Sequence, residues 1–120
     1  MTSFKSYPFL KRLEESTRII QKYPDRIPVI VEKGPGKDTP DLDKKKYLVP
    51  KDITVGQFVY ILRKRINMSA EKAMFIFVEN IIPQTSITLN VLYNQYAQDD
   101  KFLYITYTTE NTFGNYTLPK

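Results

Sequence analysis

The chain has 120 residues, a length that predicts one domain able to bury a core without disulfides or metals to staple it. It contains no cysteine and no histidine, which excludes disulfides, zinc sites built on those residues, and catalysis by a thiol or an imidazole. The net charge of +5 is a modest excess that suits acidic peptides, anionic membrane surfaces or nucleic acid alike.

The first predicted elements are helical. An aromatic arm from Phe4 to Phe9 is predicted to form about one helical turn, and Leu10 to Lys22 has the spacing of an amphipathic helix. The stripe of that helix consists of Leu13, Thr17 and Ile20, with Ile19 beside it. Tyr23-Pro24 ends the helix, because a proline disfavours the helical conformation in the residue before it.

Two strands are predicted next. Arg26 to Glu32 is nearly continuous Ile, Val and Pro, which predicts a buried strand, and Pro28 within it favours a place near the sheet boundary. The glycines and prolines between Lys33 and Asp41 predict a loop. Lys45 to Val49 is the second strand, antiparallel to the first if the loop is a hairpin. Its flanking lysines and the closing Pro50 are typical of an edge strand.

A second helix is predicted from its start signal. Thr54-Val-Gly-Gln57 has the pattern of a capping box, in which the Thr and Gln side chains satisfy each other's backbone N–H groups. The predicted core stripe is formed by Val55, Val59, Leu62 and Ile66, while Phe58 and Ile61 lie off its axis. The basic run Arg63-Lys-Arg65 ends the helix, where cations complement the negative end of the helix dipole.

The last third of the chain predicts strand, helix and strand. Met74 to Val78 is wholly apolar and is predicted to be a central strand. Thr88 can cap a short helix, whose apolar spacing is that of Leu89, Leu92, Tyr93 and Tyr96. Phe102 to Thr108 alternates aromatic and aliphatic residues and predicts a fourth strand, followed by a polar tail, Thr109 to Lys120.

This order of elements is the α+β pattern of a ubiquitin-like β-grasp fold, in which one helix lies across a four-stranded mixed sheet. Two N-terminal helices are additional to that core. We therefore predict a single domain with an N-terminal helical extension, residues 1–22, packed on a ubiquitin-like core, residues 23–108. A flexible tail, residues 109–120, completes the chain.

The predicted edge strand favours a binding module over an enzyme, because an extended peptide can add to such a strand. Alternation along it sends Lys46 and Leu48 to one face and Tyr47 and Val49 to the other. The alternative is that these apolar side chains belong to the core, as Ile, Val and Phe usually do.

Six longer segments carry a resemblance that spacing alone does not give. In chain order they are Lys22 to Lys33, Asp43 to Pro50, Thr54 to Val59, Arg63 to Ile66, Phe75 to Val78 and Glu110 to Gly114. Together they resemble the autophagy ubiquitin-like modifiers, the family of light chain 3 and the GABA-receptor-associated protein. The match is collinear from about Phe4 to Gly114.

The resemblance implies a modifier that is not itself an enzyme. A cysteine protease would remove Asn115 to Lys120, reading Phe113 and cutting after Gly114, so the chain is expected to be a precursor. Glycine suits the narrow channels of the processing enzymes because it has no Cβ. Ubiquitin-like activating and conjugating enzymes would then join Gly114 to phosphatidylethanolamine, with no other cofactor or metal. An ordinary frayed terminus is the alternative for this segment.

The resemblance also implies two pockets for cargo receptors and adaptors that carry short motifs with an aromatic and an aliphatic anchor. The residues of the aromatic pocket would be Glu15, Ile19, Pro28, Ile30, Lys46, Leu48 and Phe102. Those of the aliphatic pocket would be Tyr47, Val49, Pro50, Ile53, Phe58 and Ile61. Acidic residues flanking the motif would be attracted by Arg26, Lys44, Lys45 and Arg65, in addition to Lys46.

Two further surfaces have open alternatives. Phe75 to Phe77 corresponds to a family region that can bind other peptide motifs, although a core strand is favoured here. The arm's Phe4, Tyr7 and Phe9, with neighbouring basic residues, could touch membrane or an acidic partner, or it could pack against the sheet.

Other functional classes are weighed against this one. An enzyme is disfavoured because Glu14-Glu15 and Asp99-Asp100 are sequence neighbours that do not converge on one substrate atom. A nucleic-acid partner is not expected, because no RNA-binding fingerprint is present. A third alternative keeps the fold and the peptide ligands but is never joined to lipid, which would make the protein a trafficking adaptor.

The expected location follows from hydropathy and from the resemblance. No apolar run approaches the roughly 20 residues of a membrane span, and the N-terminus lacks the apolar core of a signal peptide. We therefore expect a monomer that is cytoplasmic as a precursor and reaches autophagosomal or vesicle membranes after lipidation.

Overall fold

The computed structural model describes residues 3–34, 39–68 and 72–109. Within these ranges, a 3-10 turn, Phe4–Ser6, precedes three helices and four strands. In chain order these are α1 (Phe9–Lys22), β1 (Arg26–Lys33), β2 (Lys46–Pro50), α2 (Val55–Ile66), β3 (Phe75–Phe77), α3 (Leu89–Tyr96) and β4 (Leu103–Thr108). The predicted order of elements is confirmed, with boundaries that differ by one or two residues.

The four strands form one mixed sheet in the order β2-β1-β4-β3. The β1–β2 and β3–β4 pairs are antiparallel, whereas β1 and β4 run parallel at the centre. This is the predicted ubiquitin-like sheet, and β2 lies at its edge as expected from the flanking lysines and Pro50.

The prediction that the third strand is central was wrong. β3 is the other edge of the sheet and extends only over Phe75–Phe77. Its apolar composition reflects burial of its side chains, since Ile76 and Phe77 are both in the core. Hydrophobicity therefore indicated that the faces of this strand are covered, and it carried no information about how many strands pair with it.

β1 is an interior strand, and Pro28 lies at the margin of its pairing with β4, consistent with the predicted place near the sheet boundary. The Val31 N–H donates to the Lys45 carbonyl oxygen at 2.8 Å, and the Lys51 N–H donates to the Asp25 carbonyl oxygen at 3.1 Å. Alternate residues of β1 therefore bond β2, and position 28 turns its nitrogen away from β2. Pairing with β4 begins only at Val29, so the missing N–H of Pro28 breaks no bond in the sheet.

Helix α2 begins with the predicted capping box. The Gln57 N–H donates to the Thr54 hydroxyl at 3.1 Å, and the Thr54 N–H donates to the Gln57 side-chain oxygen at 2.8 Å. The predicted core stripe needs correction: Phe58 is 0 % exposed and lies at its centre with Val55 and Leu62, while Val59 is only partly buried. The bulkiest apolar side chain of the helix points into the core, since it buries the most surface.

Phe4 of the aromatic arm packs on the opposite face of the sheet from α2, whereas Tyr7 is 60% exposed and Phe9 is 43% exposed, so the packing alternative holds for Phe4. Phe4 forms a small core cluster with Ile30 and Phe102, and Tyr104 packs against it. The Phe4 and Phe102 rings meet edge to face, with centroids 5.0 Å apart. This geometry is favourable because the positive edge of one ring meets the negative face of the other.

A buried polar network attaches α1 to the turn before β4. Asp100 is 2 % exposed and accepts from Arg12 Nη1 at 3.0 Å and from the Tyr104 hydroxyl. The Ser16 hydroxyl donates to the Asp100 carbonyl oxygen at 2.6 Å. Burying the charge of Asp100 is tolerable because it is paired and hydrogen-bonded.

This network predicts that the protein loses stability in alkali. Burial raises the pKa of Tyr104 above its ordinary value of 10.0, and the hydrogen bond to Asp100 raises it further. Above about pH 10 the unfolded chain releases this proton while the folded chain keeps it, so the free energy of unfolding should fall as pH rises. Urea unfolding between pH 8 and 11 measures this fall, and Tyr104→Phe should reduce its slope. Constant stability to pH 11 would contradict the prediction.

Candidate peptide-docking site

The backbone of β2 presents hydrogen-bonding groups to solvent at alternate residues. Because Val29 and Ile27 pair with Tyr47 and Val49 in the hydrogen-bonded register, Lys46 and Leu48 turn their N–H and C=O groups away from β1. An extended peptide can form main-chain hydrogen bonds with outward N–H and C=O groups of this kind at a sheet edge. The predicted strand-addition site therefore has a defined backbone pattern centred on Lys46 and Leu48.

Side chains of β2 alternate between the two faces of the sheet as predicted. Tyr47 and Val49 are buried beneath α2, whereas Lys46 and Leu48 lie on the face that carries α1. The two predicted pockets consequently lie on opposite sides of the same exposed strand. A peptide paired with this strand would also alternate, so its successive side chains could reach both faces.

On the α1 side, part of the predicted aromatic pocket is buried within the domain. Ile30 and Phe102 are fully buried because Phe4 covers them, so neither offers surface to a ligand while Phe4 remains in place. Pro28 is likewise buried. The predicted pocket residues that keep accessible surface on this side are Glu15, Ile19, Lys46 and Leu48.

An ion pair spans the entrance on the α1 side. Lys46 Nζ lies 2.7 Å from Glu15 Oε2 and 5.9 Å from the centroid of the Phe4 ring. The pair joins β2 to α1 directly above the covered residues. The pair is partly exposed and therefore contributes little to stability, so a ligand can displace it at small cost.

A cleft of about 770 Å³ lies between α1 and the segment that leads into β2. Of its lining, only Glu15, Lys44, Lys45 and Lys46 are among the residues predicted for this site. The lining residues that were not predicted for the site are Phe4, Tyr7, Lys11, Arg12, Glu14 and Arg18. All of these except Glu14 are aromatic or basic, which is visible in the sequence, but nothing local indicates that the arm folds back beside β2.

On the α2 side, the predicted aliphatic pocket divides into a buried floor and an accessible rim. Tyr47, Val49 and Phe58 are core residues, and the Tyr47 and Phe58 rings meet edge to face at 6.0 Å. Pro50 is exposed and Ile61 is 40 % exposed. Ile53, also predicted here, is partly buried against the core. Substituting the floor residues would test the fold rather than the pocket.

The predicted cations surround β2, and several already hold a carboxylate. Arg65 donates from Nε and Nη2 to both Asp43 oxygens at 2.7–3.1 Å, and Lys45 Nζ lies 3.6 Å from Glu32 Oε2. Lys44 Nζ instead lies 4.7 Å from the centroid of the Tyr47 ring. Arg26 is exposed and stands opposite Pro50 at the far end of β2.

The Arg65–Asp43 pair shifts the pKa of both of its members. The hydrogen bonds from Arg65 hold the pKa of the Asp43 carboxyl below its ordinary value, and those same bonds raise the pKa of Arg65. Burial raises the pKa of the Tyr47 hydroxyl. At neutral pH the Asp43 carboxylate is therefore charged. It is paired with Arg65, one of the cations predicted to attract the ligand.

The predicted processing residues Phe113 and Gly114 and the segment Asn115 to Lys120 lie outside the described residues. Thr109, the first residue of the predicted tail, is described, and it directly follows β4. Within residues 3–34, 39–68 and 72–109, no group of acidic side chains is placed to hold a metal ion. The helices in those ranges are too short and too polar to cross a membrane.

Comparison with known proteins places this geometry in context. A family profile described as “Autophagy protein Atg8 ubiquitin like” matches residues 11–114. Autophagy-related protein 8a of Arabidopsis thaliana is 58% identical over 118 residues, covering 98% of this chain and 97% of the relative. Autophagy-related protein 8 of Kluyveromyces lactis is 56% identical over 115 residues, covering 95% of this chain and 93% of the relative.

Solved structures resemble the fold over nearly the whole chain. The crystal structure of Trypanosoma brucei ATG8 superposes with a TM-score of 0.86 at 39% identity, covering 95% of this chain and 100% of that one. Plasmodium falciparum Atg8 in complex with a Plasmodium falciparum Atg3 peptide superposes with a TM-score of 0.83 at 38% identity, covering 92% of this chain and 98% of that one.

Proposed function

The chain belongs to the Atg8 family of ubiquitin-like autophagy proteins, and from this premise we propose that it is a conjugated modifier with a peptide-docking edge. A cysteine protease removes Asn115 to Lys120, and the new carboxyl group of Gly114 is joined to phosphatidylethanolamine on autophagosomal membranes. There the folded domain recruits cargo receptors and machinery. The chain is the substrate of these enzymes and supplies no catalytic group of its own.

One observation supports the proposed modification above the others: the family match ends at Gly114, the glycine at which cleavage is predicted. Gly114 is only six residues beyond Thr108, the last residue of β4. The lipid supplies two acyl chains, whereas one chain alone gives only marginal membrane binding.

The docking function is supported by the edge position of β2 together with the surrounding charge. Outward N–H and C=O groups at Lys46 and Leu48 provide the main-chain bonds, and the cleft beside α1 and the rim at Pro50 and Ile61 accept side chains. A relative in the comparison was solved with an Atg3 peptide, which is consistent with a conjugation-enzyme segment being one ligand of this fold.

The sheet has a second edge, β3, and the experiment must distinguish the two. Titration of the ¹⁵N-labelled protein with a peptide that carries an aromatic anchor, an aliphatic anchor and acidic flanking residues should shift the amide signals of Lys46 and Leu48 most. Signals of Phe75–Phe77 should move little. The largest shifts at β3 instead of β2 would contradict the proposed site.

We expect Asp43→Asn to strengthen binding of this peptide. The substitution leaves Arg65 able to pair with an acidic residue of the ligand without first giving up an internal carboxylate. Because the pair is exposed, the gain should be modest, about two- to threefold in Kd. Calorimetry at low and high salt measures it, and the gain should shrink at high salt because ions screen exposed charges.

Asp41→Asn is the matched control for this prediction. It removes one negative charge from the same segment, but Asp41 pairs with Lys33 at the end of β1, at 2.7 Å, and not with a residue of the docking site. It should leave Kd nearly unchanged. Equal gains from both substitutions would mean that net charge, and not the release of Arg65, controls affinity.

A further inference from the structure

A cluster of three threonines lies where β4 gives way to the tail. The parallel ladder between β1 and β4 ends at Lys33 and Tyr107. Beyond it, the Thr109 N–H donates to Thr39 Oγ1 at 3.2 Å, and Thr39 Oγ1 and Thr108 Oγ1 are 3.2 Å apart. The Thr109 hydroxyl donates to the same Thr39 oxygen at 3.4 Å. Where the β1–β4 ladder ends, the Thr39 side chain from the β1–β2 connection therefore hydrogen-bonds to the end of β4 and to the residue after it.

The Thr39 hydroxyl is used to its full capacity. A hydroxyl offers one donor and two acceptor lone pairs, and Thr39 has three polar neighbours to match them. Thr39 is 4 % exposed, so water cannot easily replace a lost partner. This arrangement binds the first tail residue to the folded domain more firmly than an exposed contact would.

The segment that carries Thr39 is itself held against β4. The Tyr107 hydroxyl donates to the Pro40 carbonyl oxygen at 2.8 Å and accepts from the Leu42 N–H at 3.0 Å. On the other side of the connection, the Gly34 N–H donates to the Tyr107 carbonyl oxygen at 2.7 Å. Thr39 therefore lies on a supported segment, and its bond to Thr109 is fixed relative to the sheet.

We propose that Thr39 is a positioning residue for processing of the tail: by holding the Thr109 N–H, it fixes the point from which the chain leaves the domain, five residues before Gly114. This inference rests on the proposed cleavage after Gly114. Five extended residues reach about 17 Å, so the protease must meet the domain closely while it binds the tail. A fixed starting point reduces the conformations lost on binding, which lowers KM without altering the chemical step.

Thr39→Val tests the inference, because valine keeps the branched shape and lacks the hydroxyl. Amide hydrogen exchange at Thr109 should become about tenfold faster, as expected for the loss of one hydrogen bond. For cleavage of the full chain by the processing cysteine protease, KM should rise about three- to tenfold with kcat unchanged. Thr39→Ser keeps the hydroxyl and should restore both values. Should the valine variant fail to fold, Thr39→Ala removes the same hydroxyl without adding volume.

The outcomes separate this inference from the function on which it rests. Unchanged exchange at Thr109 and equal KM values in the hydroxyl-free variants would overturn the positioning role. A rise in KM that Thr39→Ser does not reverse would also overturn it, because the hydroxyl would then be irrelevant. If the wild-type chain is not cut after Gly114, the proposed function fails, whereas the exchange measurement still decides whether Thr39 anchors the tail.

Discussion

Replacing Gly114 with alanine is expected to abolish processing and, with it, lipid conjugation. Cleavage requires a protease thiolate to attack the Gly114 carbonyl carbon and expel the amine of Asn115, after which water releases the Gly114 carboxylate. A methyl group on Cα would widen the chain at the point where the proposed processing enzyme is expected to have a narrow channel. A displacement of about 1 Å at a reacting centre can cost roughly a hundredfold in rate, and we expect a loss of at least that size.

Mass spectrometry measures this loss as release of the six-residue peptide Asn115 to Lys120. Gly56→Ala is the matched control, since a Cβ there would meet Thr85 no closer than 3.4 Å and Gly56 lies in α2, far from Gly114 in the sequence. It should be processed at the wild-type rate. Normal cleavage of the Gly114→Ala chain would remove the role assigned to this glycine. Cleavage of wild type without subsequent conjugation would favour the alternative adaptor that never joins lipid.

The second large effect is expected from Leu48→Ala, which should weaken peptide binding about thirtyfold. Leu48 is the partly exposed apolar residue of β2 on the α1 face, directly beside the outward backbone groups. Removing its terminal carbons costs about 2 kcal/mol of buried apolar contact in the complex, which corresponds to that change in Kd. The domain should remain folded, because Leu48 is not one of the buried core residues.

Calorimetry with the peptide that carries aromatic and aliphatic anchors tests this prediction, and Leu10→Ala is the matched control. Leu10 is 74 % exposed on α1 and does not line the cleft beside β2, so the same truncation there should remove no contact with the proposed ligand. A loss of affinity confined to Leu48→Ala supports the edge site. Equal affinity of both variants and wild type would show that the peptide does not use β2. Tyr47→Ala is unsuitable for this test, because emptying a buried aromatic site costs about 3–5 kcal/mol of stability by itself.

Local signals in the sequence were sufficient for much of the fold. The capping box at Thr54, the proline at the end of α1 and the lysine-flanked, proline-closed β2 each act through neighbouring residues, and each was located correctly. Alternation along β2 likewise separated Tyr47 from Leu48, because side-chain direction in a strand is a local property. The position of the candidate docking edge was predictable for this reason.

The errors concern contacts between distant parts of the chain. β3 was placed centrally because apolar content reports covered faces and not neighbouring strands. Phe58 was placed beside the core stripe because two overlapping stripes on α2 fit the spacing equally well, and only packing against the sheet distinguishes them.

The candidate site shows the same limit. Phe4 covers Phe102 across nearly the whole length of the chain, so no pattern near either residue could show that part of the predicted aromatic pocket is occupied. The bond between Thr39 and Thr109 is equally remote in sequence. These contacts follow from the sheet order, which brings the N-terminal arm, the β1–β2 connection and β4 together.

The most direct measurement is the intact mass of the protein recovered from the membranes of its own cells. The account predicts a chain that ends at Gly114, lacks Asn115 to Lys120 and carries one phosphatidylethanolamine. A membrane fraction that contains only the unmodified chain through Lys120, or none of the protein at all, would contradict it.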